Sequence, residues 1–167
     1  MHDNTLIYDC FSGISGDMHI GAMLDLGVPL EYLRSELAKL PVAEEFELLA
    51  ERDARLGLHG TRASVRLKQA MYHHRGLAEI RVIIQAAGYP SAVGERALGI
   101  FQLLAGAEAR VHDVPVEAVH FHEVGATDAI VDIVAAALCL EYLGVARVYC
   151  TMMELGGGTV RCEHGLL

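Results

Sequence analysis

Apolar positions along the chain switch repeatedly between two periods, and the switches mark out an alternation of strands and helices. Thr5 to Cys10 is a short apolar run followed by a Ser/Gly turn, which predicts a buried first strand, and Asp17 to Leu26 reads as the helix after it. Pro29 opens a second helix, where proline is tolerated at the first position, and Leu30, Leu33, Leu37 and Leu40 form its apolar stripe. Phe46, Leu48 and Ala50 sit among acids, while Ala63, Val65 and Leu67 alternate with Arg62, Ser64, Arg66 and Lys68. These two runs read as antiparallel strands with one wet face, joined around Gly57 to Gly60. Helices are predicted from about Leu77 to Ala87 and from Ser91 to His112. The second carries Val93, Ala97, Ile100, Leu104, Ala107 and Val111 at alternating spacings of four and three. A strand at His120, an almost wholly apolar helix from Ala129 to Leu140, and a last strand from Arg147 to Leu155 complete the pattern. The expected fold class is α/β, a mixed β-sheet with helices packed on it, as a single domain over residues 1–167.

Composition narrows the function classes. A chain of 167 residues and 18.1 kDa buries roughly 70% of its unfolded surface and needs no disulfide or zinc staple. A formal charge of -9, a pI near 5.4 and no basic stripe argue against a nucleic-acid partner. Four cysteines (Cys10, Cys139, Cys150 and Cys162) form no C-x-x-C pair, which reads as reduced thiols in a cytoplasmic protein. The N-terminus lacks the pattern of a signal peptide, and the longest apolar run is about twelve residues, short of the roughly 20 that span a bilayer. A soluble protein without a membrane partner is the expectation.

Chemistry concentrates in a few segments. His120-Phe121-His122-Glu123-Val124-Gly125-Ala126-Thr127-Asp128-Ala129-Ile130-Val131-Asp132 runs into the apolar helix. On a strand, the two-residue spacing puts His120 and His122 on one face and Glu123 on the other. Asp128 and Asp132, four apart, share a face of the following helix, and the turn at Gly125 can fold that face back toward the histidines as a divalent-ion ligand cluster. An exposed edge with Asp128 as a cap is the plainer alternative. Asp132 is the sole polar residue from Ala129 to Leu140, so a carboxylate there needs a cation, a proton or several donors.

A second segment, Asp9-Cys10-Phe11-Ser12-Gly13-Ile14-Ser15-Gly16-Asp17, lies where the first strand turns into the first helix. Ser12, Gly13, Ser15 and Gly16 suit an anion such as phosphate at a helix N-terminus, although the lysine of a Walker A loop and the dinucleotide fingerprint are both absent. Asp9 and Asp17 could hold a hard cation bridging to phosphate; an ordinary tight turn with Asp17 at the helix dipole is the alternative. His73 and His74, beside Arg75, form a weaker cluster: adjacent histidines project differently, so a polar loop is the simpler reading, with metal contact the other. His19, His59 and His112 read as surface, turn or cap residues. Gly156 to Leu167 is rich in glycine and functional side chains and reads as either a site loop or a loose tail.

Three of these segments carry a family resemblance. D-C-F-S-G-I-S-G-D-M at Asp9 to Met18, H-F-H-E-V-G-A-T-D-A-I-V-D at His120 to Asp132, and G-G-G-T-V-R-C-E-H-G at Gly156 to Gly165 together resemble the LarC family, pyridinium-3,5-bisthiocarboxylic acid mononucleotide nickel insertion proteins. The likeness runs through essentially the whole chain but matches only the N-terminal part of a family member more than twice as long. It implies a CTP-dependent cyclometallase, a lyase of nickel chelatase type, that builds the nickel-pincer nucleotide cofactor used by lactate racemase. The implied partners are the pyridinium mononucleotide, nickel, and the C-terminal LarC region, where CTP with magnesium or manganese belongs. On this reading Asp9, Asp17, Glu123 and Asp132 are the catalytic carboxylates, Ser12, Gly13, Ser15 and Gly16 hold the nucleotide, and His120, His122, Asp128, His73 and His74 meet nickel. Family members often carry a longer histidine run followed by H-L-A-D-I, where this chain has Tyr72-His73-His74-Arg75-Gly76-Leu77-Ala78-Glu79-Ile80. A non-catalytic nickel-binding or assembly module and a magnesium-dependent phosphate-ester hydrolase are the competing classes. The oligomeric state is left open, a homo-oligomer included.

Overall fold

The computed structural model describes residues 4–69, 75–121, 125–159, 161–162 and 165–166. Its elements in chain order are β1 (Asn4–Tyr8), α1 (Gly16–Asp25), α2 (Leu30–Leu37), β2 (Phe46–Arg55), β3 (Leu58–Leu67), β4 (Arg75–Gly76), α3 (Leu77–Ala86), α4 (Ser91–His112), β5 (His120–Phe121), α5 (Thr127–Tyr142), β6 (Val145–Cys150), β7 (Arg161–Cys162) and β8 (Gly165–Leu166). The domain is α/β with both parallel and antiparallel pairing, but the strands form separate two-stranded sheets rather than one continuous sheet: β1 runs parallel to β6, while β2–β3, β4–β5 and β7–β8 are antiparallel.

The apolar helix predicted before Leu140 is the hub. Ile130, Val131, Val134, Ala135, Ala137, Leu138 and Cys139 of α5 are all buried, and α4, α1 and α2 pack around it. On α4 the buried row is Val93, Ala97, Phe101, Ala105 and Ala109, a strict four-residue repeat. The expected stripe is therefore only half right: Val111 is 79% exposed and Ala107 faces solvent. A row of small residues at i+4 lets α4 lie close against α5, and that row drifts around the helix instead of running straight along it. The first strand also departs from expectation. Leu6 and Tyr8 pack on the core but Ile7 is 65% exposed, because β1 has helices on one face only.

The position of α1 fixes the site. Gly21 lies so close to β3 that a Cβ there would sit 2.3 Å from the Thr61 carbonyl oxygen. At one end of the helix the Asp25 carboxylate accepts from the Thr61 amide (2.9 Å) and hydroxyl (2.7 Å) and pairs with Arg52 at 2.7 Å. At the other end Asp17 Oδ1 accepts from the Val65 amide at 3.2 Å. Two carboxylates thus satisfy backbone donors along the outer edge of the β2–β3 hairpin, and the start of α1 is pinned in place. The hairpin turns at Leu56 (φ 50°) and Gly57 (φ 83°), a tighter turn than the Gly57–Gly60 connection expected from sequence.

Among the described residues Arg75 is the one buried arginine, 4% exposed. Its Nη1 donates to the Gly125 carbonyl (3.2 Å) and the Thr127 hydroxyl (2.9 Å), and its Nη2 donates to both Glu45 carboxylate oxygens at 3.2 and 3.0 Å. The Thr127 hydroxyl donates in turn to Glu45. This closed network joins the short helical turn at Ala43–Glu45, β4 and the start of α5.

Candidate functional site

β1 ends at Tyr8, and the chain then crosses the C-terminal end of the parallel pair before entering α1. Cys10 is held at three backbone points: its amide donates to the Thr151 hydroxyl (3.2 Å), and its carbonyl accepts from Gly13 (3.1 Å) and Glu154 (3.2 Å). Gly13 has φ 80°, and a Cβ there would lie 3.1 Å from the Glu154 carbonyl oxygen, so the tight turn needs glycine on both counts. Ser15 caps α1, its hydroxyl accepting from the Met18 amide at 3.2 Å. The remaining N–H groups of the first turn have no intrahelical acceptor, as in any helix start.

Asp132 reaches this point from α5. A Cβ on Gly16 would lie 1.9 Å from Asp132 Oδ2 and 2.1 Å from its Cγ, so the carboxyl group rests directly on the first residue of α1. Its Oδ1 is buried and has no hydrogen-bond partner among the described residues. Burial first, then the negative charges of Asp17 and Asp128, push the Asp132 carboxyl up to about 7. The sequence analysis asked for a cation, a proton or donors to compensate this group; in the protein alone the proton fills that role at and below neutral pH.

Beside the same helix end lies a cleft of about 460 Å³ lined by Asp17, Met18, Arg55, Thr61 and Arg62 among others. That volume falls in the range of small-molecule sites. Arg55 and Arg62 were missed as candidates because, in sequence, they belong to the polar side of an ordinary amphipathic hairpin. Only the packing of α1 across β3 brings them into one cleft with Asp17 and Met18.

The other sequence candidates divide by place. Asp128 sits in the first turn of α5, its Oδ1 accepting from the Ala129 amide at 2.8 Å, and acts electrostatically on Asp132. Asp9 is exposed and accepts from the Thr151 hydroxyl at 3.0 Å, whereas Asp17 is turned to β3, so the two carboxylates expected to share a hard cation are engaged with different strands. Ser12 is exposed in the loop. His120 is exposed on β5, opposite Gly76, and Asp132 makes its contact with α1 instead. His73, His74, His122 and Glu123 lie outside the described residues. Arg75 and Phe121, which adjoin His74 and His122 in sequence, are cross-strand partners. Among the described residues no three His, Cys, Asp or Glu side chains come together as a metal-holding group. Behind the loop, the Tyr8 hydroxyl and His19 Nε2 are 2.8 Å apart. Burial pushes the Tyr8 hydroxyl up to about 12 and His19 down, so a neutral phenol and a neutral imidazole share this hydrogen bond. His19 is therefore an interior residue, not the surface residue expected.

The fold and site define a class: an α/β domain with a glycine-rich strand-to-helix loop, a buried carboxyl group against it and an adjoining cleft. Residues 6–167 match the family described as nickel insertion protein, and the chain belongs to that family. It is 53% identical over 165 residues to a relative from Wolinella succinogenes, covering 97% of this chain and 41% of the relative. It is 47% identical over 169 residues to the pyridinium-3,5-bisthiocarboxylic acid mononucleotide nickel insertion protein of Akkermansia muciniphila (97% and 42% covered). Against the protein of that name in Clostridium kluyveri it is 44% identical over 173 residues (97% and 43% covered). The chain thus spans about two fifths of the length of these curated relatives. No solved structure matches. Among the described residues no helix is long and apolar enough to cross a membrane.

Proposed function

We propose that this chain supplies the mononucleotide-anchoring and nickel-delivering part of a metal-insertion enzyme acting on pyridinium-3,5-bisthiocarboxylic acid mononucleotide. The substrate comes from the names of the Akkermansia and Clostridium relatives; the carrying observation in this chain is the Asp132 carboxyl resting on Gly16 at the start of α1. A phosphate at that helix end meets free N–H groups and the positive end of the helix dipole. An Asp132 carboxyl still holding its proton donates to such an oxyanion, where an ionised one would repel it. Arg55 and Arg62 line a cleft that Asp17 and Met18 of the same helix also line, where the rest of an anionic ligand could extend.

In this reading Ser12, Gly13, Ser15 and Gly16 seat the phosphate, and Asp132, with Asp17 and Asp128 setting its proton affinity, responds to the charge of the seated ligand. Nickel is a substrate, met by His120 together with His122, His73 and His74, since imidazole suits a borderline first-row ion. Glu123 and Asp9 remain carboxylates for proton transfer near the metal. Turnover, with CTP and its magnesium or manganese ion, belongs to the whole longer protein, because this chain is about two fifths of its relatives' length.

Gly13→Val tests the anchor. The substitution drives a side chain toward the Glu154 carbonyl and strains the positive φ, so calorimetric titration of the folded variant should show mononucleotide binding lost and nickel binding retained. Equal mononucleotide affinity in variant and wild type would overturn the assignment.

A further inference from the structure

Cys10 and Cys150 come from opposite ends of the sequence, yet their sulfurs lie 3.9 Å apart at the C-terminal ends of the parallel strands β1 and β6. Cys10 is 4% exposed, while Cys150 is exposed, so the pair has one sulfur fixed inside and one open to solvent. The fixed sulfur is set rigidly: the Cys10 backbone carries three hydrogen bonds, and Thr151, the residue after Cys150, supplies one of them while donating its hydroxyl to Asp9 and its amide to the Tyr8 carbonyl (2.9 Å). The same few residues hold both thiols.

The separation discriminates between the two chemistries a thiol pair can perform. Two sulfurs bound to one tetrahedral ion through bonds of about 2.3 Å are about 3.8 Å apart, which is the spacing already present. A disulfide requires about 2.05 Å, and the sulfurs would have to close by nearly half. Thiolates select thiophilic first-row ions over magnesium or calcium. Two thiolates fill two of the four positions of a tetrahedral ion, and a site that exchanges ligands, unlike a structural one, keeps a position open. Cys10 lies in the Asp9–Gly16 loop itself, the loop that leads into the phosphate seat, and Cys150 faces it from the end of β6.

We propose that Cys10 and Cys150 form a two-thiolate site for a thiophilic divalent ion, from which nickel passes to a sulfur-bearing ligand seated at the adjacent helix end. On binding, each thiol gives its proton to solvent and both sulfurs bond to the ion; no electron is transferred. Release reverses these steps as the incoming ligand's sulfurs take the open positions. The transfer half of this proposal rests on the functional reading above, whereas the metal site stands on the geometry alone.

Titration of the reduced chain with Ni2+ under anaerobic conditions tests it. The expected result is a thiolate-to-nickel charge-transfer absorption that saturates at one ion per chain and is matched by protection of Cys150 from iodoacetamide, with Mg2+ giving neither effect. Cys150→Ser keeps the buried packing intact and should weaken the ion responsible for the band by roughly tenfold or more, since loss of even an outer partner of a ligand has effects of that order. Cys139→Ser, at a cysteine buried in α5, should leave the band in place. Absence of the band in wild type, or a band unaltered by Cys150→Ser, would overturn the site. Mononucleotide calorimetry separates the two readings: an absent band with normal mononucleotide binding defeats the dithiol alone, and a normal band without mononucleotide binding defeats the anchor alone.

Discussion

Arg75 and Asp132 are both ionisable side chains set among apolar neighbours, and the protein treats them in opposite ways. Arg75 has every direction filled: two carboxylate oxygens of Glu45, the Thr127 hydroxyl and the Gly125 carbonyl. Asp132 has a buried oxygen with no hydrogen-bond partner among the described residues, two further carboxylates nearby and a backbone glycine pressed against it. The first arrangement is what desolvation demands of a structural charge. The second leaves a proton where a partner should be, the signature expected of a group kept for a ligand rather than for the fold.

Replacing Arg75 should give the largest effect on stability. Arg75→Leu removes the guanidinium that joins Glu45, Thr127 and Gly125, so unfolding in urea should show a loss of about 3 kcal/mol. A loss under about 1 kcal/mol would mean the network is dispensable and the contrast false. Gly16→Ala comes next. Its Cβ would collide with the Asp132 carboxyl, and pushing α1 and α5 apart should cost about 1–3 kcal/mol, read from the same urea midpoint. An unchanged midpoint would show that Asp132 swings away freely.

Asp132→Asn sharpens the comparison through its pH dependence. A carboxyl at about 7 in the folded state and about 3.9 when unfolded keeps its proton on folding, so stability falls as pH rises between those values and the penalty is complete above 7. Discounted for the partial solvent access of the group, the variant should be more stable than wild type by about 1–2 kcal/mol at pH 8.5, by about a third of that at pH 5, and equal to it only below about pH 4. The midpoint difference across a pH series checks this; a variant less stable at pH 8.5 would show that a favourable partner had been removed. Ser15→Ala should have the smallest effect, about 0.5–1 kcal/mol from loss of an exposed N-cap, visible in thermal unfolding. A null result there would assign the Ser15 hydroxyl to ligand binding alone.

Elements whose apolar period is local were legible in the chain. The helix expected from Ser91 to His112 matches α4 at both ends, and the helix after Gly76 and the alternating hairpin strands are present with their wet face. The Ser/Gly loop was placed correctly between a strand and a helix, but the role of Ser15 as the cap of a helix that starts at Gly16 was not foreseen. What escaped was pairing across distance. Arg75 read as part of a polar histidine loop because Glu45 is thirty residues before it and Thr127 fifty-two after. Cys10 and Cys150 showed no motif because the strand pairing that joins them spans nearly the whole chain. Asp132 was singled out by its apolar surroundings, but its contact with α1 was not foreseen, because the approach of α1 through Gly16 and Gly21 has no periodic signal.

The claim that Asp132 is a desolvated carboxyl without a protein partner is tested most directly by carbon-13 NMR titration of its side-chain carboxyl in the folded chain. The account predicts a midpoint near 7, moving when the mononucleotide is added. A midpoint near the ordinary aspartate value of about 3.9, unmoved by ligand, would contradict it.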